Sequence, residues 1–185
     1  MKLKTILLST FIVMSLLACN KKEASEAKDI DTSVEKIEED KELFKVTLNA
    51  IVTKDDTFQL YYMEDDSKPY DEKNSIYVDV KGSTSPQDII FRLPKDELPY
   101  FLRLDFGINK NQSEITVKNF KIDYFDKTLE FKDGLFFNYF VVNEDTMKKD
   151  TLKSSVIPFV LKDGGYDPMS YSELGLEKEI QKLVR

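Results

Sequence analysis

The chain predicts an all-β fold, an antiparallel two-sheet β-sandwich completed by a short C-terminal helix. Three observations carry that expectation. Apolar residues recur at every second position through most of residues 44–161, and clusters of Gly, Pro, Asp and Asn interrupt them at intervals of roughly ten residues. Helical spacing is confined to the extreme C-terminus. Successive side chains of a strand point to opposite faces, so a period of two buries one face and leaves the other open.

The elements follow in order. Phe44, Val46, Leu48, Ala50 and Val52 share one face of a first strand, which Lys54-Asp55-Asp56 ends as a turn. Phe58, Leu60 and Tyr62 repeat the pattern with Tyr61 pointing the other way, and a long polar loop from Glu64 to Asn74 then carries Lys68-Pro69 and Tyr70. Ile76, Val78 and Val80 alternate around Tyr77 up to the Gly82–Pro86 turn. Ile89–Leu93 and Phe101–Phe106 read as two more strands around a proline-bounded loop. Ile115 and Val117 have one parity and Phe120, Ile122 and Tyr124 the other, which predicts a bulge near Asn119. Asp133-Gly134 reads as a hairpin turn between Leu129-Phe131 and the apolar run Leu135–Val142. Val156–Leu161 reads as a strand that Pro158 confines to an edge, and Gly164-Gly165 ends it. Ser170 with Glu173 fits a capping box, ahead of Leu176, Ile180, Leu183 and Val184 at helical spacing. The segments amount to eight or nine short strands.

Composition narrows the chemistry. There is no histidine and a single cysteine, Cys19. Ser-His-Asp and Cys-His catalysis, disulfides and most transition-metal sites are therefore excluded, and the chain is expected not to be an enzyme and to carry no cofactor. The net charge of −7 repels phosphate backbones, so nucleic acid is not an expected partner. Asp55-Asp56 and Glu64-Asp65-Asp66 offer oxygen ligands of the kind calcium takes, but their spacing does not match an EF-hand, and no metal site is assigned.

The N-terminus is the most specific part of the sequence. Lys2 and Lys4 precede an apolar stretch from Ile6 to Leu17, and Leu16-Leu17-Ala18-Cys19 closes it. That order resembles the lipobox of bacterial lipoproteins. The resemblance implies cleavage between Ala18 and Cys19, a diacylglycerol on the Cys19 thiol, and further acylation of the new amino terminus with a chain such as palmitate. The lipid bilayer would then be a partner through acylated Cys19, and the protein would reside in the bacterial cell envelope, with the outer membrane favoured over the inner. The organisation that follows is a signal peptide at 1–18, a lipidated N-terminus and flexible acidic tether at 19–43, the β-sandwich at 44–161, and a C-terminal loop and helix at 162–185. A flexible coil as long as the tether reaches roughly 27 Å.

Within the sandwich, Phe58-Gln59-Leu60-Tyr61-Tyr62, Gln87–Leu93 with Pro94, and Leu102-Arg103-Leu104-Asp105-Phe106-Gly107 followed by Ile115–Ile122 together resemble a galactose-binding-like jelly roll of the kind found in carbohydrate-binding modules. An immunoglobulin-like sandwich is the rival architecture. The resemblance implies a ligand held by outward aromatic rings and hydroxyl-reading polar groups. The candidates are Tyr61, Tyr77 and Tyr70, with Arg103 and Asp105 beside them on one strand face. The plainer alternative makes the tyrosines sheet-face packing and Arg103 with Asp105 a solvated cross-strand ion pair. The expected function is a membrane-anchored lipoprotein presenting a non-catalytic β-sandwich that binds a glycan or an envelope partner. The alternative is a structural or assembly role in an envelope complex, with no small-molecule ligand.

Overall fold

The structure, a computed structural model, describes residues 40–65 and 67–185. Ala18, Cys19 and nearly all of the tether lie outside the described residues. The strands are β1 Lys45–Ile51, β2 Asp56–Met63, β3 Ser75–Val80, β4 Gln87–Arg92, β5 Phe101–Asp105, β6 Ile115–Tyr124, β7 Lys127–Lys132, β8 Phe140–Val142, β9 Met147–Asp150, β10 Ser155–Pro158 and β11 Met169–Ser172. A single helix of several turns among the described residues, α1, covers Leu174–Val184. All pairings are antiparallel. One sheet has the order β4-β1-β6-β10-β9, with β7 sharing an edge of β6, and the other has the order β3-β2-β5-β11-β8. The chain is thus a two-sheet antiparallel β-sandwich with a short C-terminal helix.

The alternation seen in the sequence explains which faces meet. Phe44, Val46, Leu48, Ala50, Phe58, Leu60, Leu102, Leu104, Phe120 and Ile122 are all buried in one core between the sheets. A run of phenylalanine rings crosses that core. Phe58 meets Phe106 at 5.9 Å, Phe106 meets Phe136 at 6.3 Å, and Phe120 meets Phe136 at 5.9 Å and Phe140 at 4.9 Å. Tilted and edge-on pairs of this kind add to plain area burial because ring edges are electropositive and ring faces electronegative. The bulge expected near Asn119 is present. Opposite the consecutive residues Asn49 and Ala50, β6 places Asn119 and Val117, so Lys118 is the extra residue and the parity flips.

Three local expectations are corrected. Asp133-Gly134 is not a hairpin turn, because Asp133, at φ +49°, opens a 3-10 turn over Asp133–Asn138. The hairpin falls earlier, at Phe125-Asp126 between Tyr124 and Lys127. The apolar run after Gly134 buries Phe136, in the 3-10 turn, and Phe140, at the start of β8. Second, Ser170 is not a helix cap. It sits in β11 with its side chain fully buried, and α1 starts later, with Glu173 at the capping position making no side-chain cap. Third, β10 is not an edge strand along its whole length. It pairs with β6 at Ser155 and Val156, and Pro158 lies past that stretch where only β9 adjoins, so its missing N–H breaks no ladder on the β6 side.

Candidate functional site

The outward face of the five-stranded sheet carries the sequence candidates. Strand register sets out two rows of side chains on it. Tyr61 stands opposite Ser75 and Arg103, Arg103 opposite Tyr171, and Tyr171 opposite Val141. In the next row Tyr77 faces Gln59, Gln59 faces Asp105, and Asp105 faces Met169. The Arg103 guanidinium lies 4.8 Å from the Tyr61 ring centre and 5.9 Å from that of Tyr171, so one cation is flanked by two π faces.

Arg103 Nε and Nη2 donate to the two carboxylate oxygens of Asp105, each at 2.7 Å, and Nη2 also reaches Asp167 at 3.3 Å. The side chains of Arg103 and Asp105 are only 18 and 12 % exposed. The expected solvated cross-strand ion pair is therefore a largely buried, two-pronged pair within one strand. Its cover is Tyr70, brought in by the Glu64–Asn74 loop, whose ring lies 6.1 Å from Tyr61 and 5.9 Å from Tyr171. Burial pushes the Tyr70 hydroxyl up to about 12. Burial likewise pushes the Asp105 carboxyl up to about 6, with the Arg103 guanidinium working against the rise and Asp167 adding to it.

Four of the five candidates, Tyr61, Tyr70, Arg103 and Asp105, thus form one cluster. Tyr77 stands apart, half exposed, with its hydroxyl donating to Glu72 at 2.9 Å. Sequence reasoning missed Tyr171 and Asp167, which complete the cluster, because β11 has no apolar alternation to mark it as a strand.

Tyr70 also divides two hollows that share Met63 and Tyr70 as walls. One, of about 590 Å³, lies between Tyr70, Tyr171, Phe101, Met63 and the first turn of α1, where Leu174 is 60 % exposed. The other, of about 700 Å³, is bordered by Glu64, Asp65, Asp71, Glu72 and Glu97 with Lys68 as its one basic group. The remaining acidic candidates serve loops. Asp55 accepts from Lys81 and from the Gly82 N–H, both at 2.8 Å, and Asp65 accepts from the Ser67 N–H. Asp56 accepts from the N–H groups of Thr57, Ile108 and Asn109 and from the Gln112 amide at 2.7–2.9 Å. A Cβ on Gly107, which has φ +102°, would overlap that carboxylate. Asp66 lies outside the described residues. Among the described residues no three acidic groups converge as metal ligands, and no helix is long and apolar enough to cross a membrane.

Comparison of the chain with protein-family models, with curated proteins and with solved structures finds no match in any of the three.

Proposed function

We propose that this is a membrane-anchored bacterial lipoprotein, held in the envelope through acylated Cys19, whose β-sandwich is a non-catalytic binding module. Its ligand is a glycan or a partner protein of the envelope, met at the outer face of the five-stranded sheet. The observation that carries this reading is the pair of hollows on either side of Tyr70, where an otherwise plain sheet face becomes concave and aromatic-walled. The chain's chemical inventory points the same way. Without histidine or a free thiol in the mature form, the module has hydroxyls, carboxylates and amines, which serve recognition readily.

Two measurements test the reading. Cys19→Ser is expected to lose metabolic labelling by fatty acid and retention in the membrane fraction; a labelled Cys19→Ser protein contradicts the anchor. Binding to glycan arrays and to envelope extracts is expected to fall when Leu174→Asp or Tyr171→Ala reshapes the aromatic hollow. Binding that persists unchanged in both variants places the ligand elsewhere.

A further inference from the structure

We infer that the ligand of this face is an extended basic peptide segment of a partner protein, with one large apolar side chain in the Leu174 hollow and lysine or arginine side chains over the carboxylates beyond Tyr70. The inference rests on the binding-module reading above and specifies the partner. Its first ground is shape. The two hollows adjoin, with Met63 and Tyr70 as their shared walls, so an extended chain crossing Tyr70 meets both. The second is the nature of the walls. Phe101, Met63 and the exposed Leu174 offer apolar surface for an aliphatic or aromatic side chain.

The third ground is the hydrogen-bond inventory of the other hollow. Its border has five carboxylates against Lys68, and a carboxylate at neutral pH only accepts. The side-chain carboxylates of Glu64 and Glu97 have no hydrogen bond or ion pair among the described residues, so both are open to a ligand. Ammonium and guanidinium groups donate only and carry the opposite charge, which matches such a rim; a sugar hydroxyl must both donate and accept. Glu173 places a further carboxylate beside the apolar hollow, so an acidic ligand would meet like charge at both ends.

The experiment uses the full chain in phosphatidylcholine nanodiscs and a fluorescent peptide with lysines on both sides of one phenylalanine, followed by anisotropy against empty nanodiscs. The expected result is saturable binding that weakens steeply with salt. The same peptide should lose most of its affinity when glutamates replace its lysines or alanine replaces its phenylalanine. Glu64→Gln combined with Glu97→Gln should weaken binding about tenfold at low salt, the scale of two exposed ion pairs, and Leu174→Asp should remove the dependence on phenylalanine. If the lysine and glutamate peptides bind alike while a neutral oligosaccharide binds and is lost with Tyr171→Ala, the peptide inference is overturned and the binding-module reading stands. If peptides, oligosaccharides and envelope extract all fail to bind, both are overturned.

Discussion

Arg103→Leu is the most informative perturbation, because it removes one half of a nearly buried pair and the filling between two rings. Truncating one partner of a buried ion pair costs about 3–5 kcal/mol, chiefly through the charge left behind. Here the side chains keep 18 and 12 % exposure, so the low end applies, about 3 kcal/mol near neutral pH, including roughly 0.5–1 kcal/mol from the contact with Tyr61. The cost depends on pH with a definite sign. Asp105 sits at about 6 when folded, against roughly 3.9 for an ordinary aspartate, so the folded state holds the proton more tightly than the unfolded one. The penalty for its charge is absent below the unfolded value and grows as pH rises through the folded value. Without the guanidinium that folded value climbs further. The variant is then expected to lose about 1 kcal/mol near pH 5 and about 3 kcal/mol above pH 7. Arg103→Leu with Asp105→Leu, which leaves no orphan charge, should return to within about 1 kcal/mol of the wild type. Urea unfolding followed by far-ultraviolet circular dichroism at several pH values measures all three. A single variant that loses less than about 0.5 kcal/mol at every pH, the scale of an exposed pair, would refute the buried-pair argument.

Other outcomes follow from the same geometry. Asp56→Ala strands three backbone N–H groups and the Gln112 amide, and is expected to cost about 3 kcal/mol with faster amide exchange at Ile108 and Asn109; unchanged exchange there would contradict the anchoring role. Phe120→Ala, at the crossing of the core rings, should cost about 3–5 kcal/mol in urea unfolding, and a loss below about 1 kcal/mol would mean the core collapses around the gap. Ending the chain before Leu174 exposes what Leu176, Ile180 and Leu183 cover, and should weaken rather than abolish folding, by roughly 2–4 kcal/mol in thermal or urea melts. A fully unfolded truncation would overturn that estimate.

What was legible in the sequence follows from where the physics is local. From Phe44 to Ile122 the apolar alternation assigns the inward face, because most inward positions are filled by apolar residues, and the parity change near Asn119 even locates the bulge. β11 was illegible for the opposite reason. Its one fully buried position is Ser170, so the strand has no apolar period, and it is held by backbone pairing to β5 and β8 that no local pattern encodes. The candidate site divides along the same line. Arg103 and Asp105 are two residues apart on one strand and so declare a shared face. Their burial depends on Tyr70, Tyr171 and Asp167, which arrive from distant segments.

The position of β11 has a consequence for how the chain acquires its structure. It is the last strand in sequence, yet it is inserted between β5 and β8 rather than added at a border. Until Met169 to Ser172 are available, the second sheet exists only as the ribbon β3-β2-β5 and a detached β8, with the edge of β5 unsatisfied. A polypeptide extended from its N-terminus, by a ribosome or through a translocation pore, therefore cannot finish this sheet early. Completion waits for Met169–Ser172, and pairings that join such distant segments form slowly. The architecture delays closure of this sheet until Met169–Ser172 are made, and leaves any product that stops short of Met169 with β5 unpaired on one side.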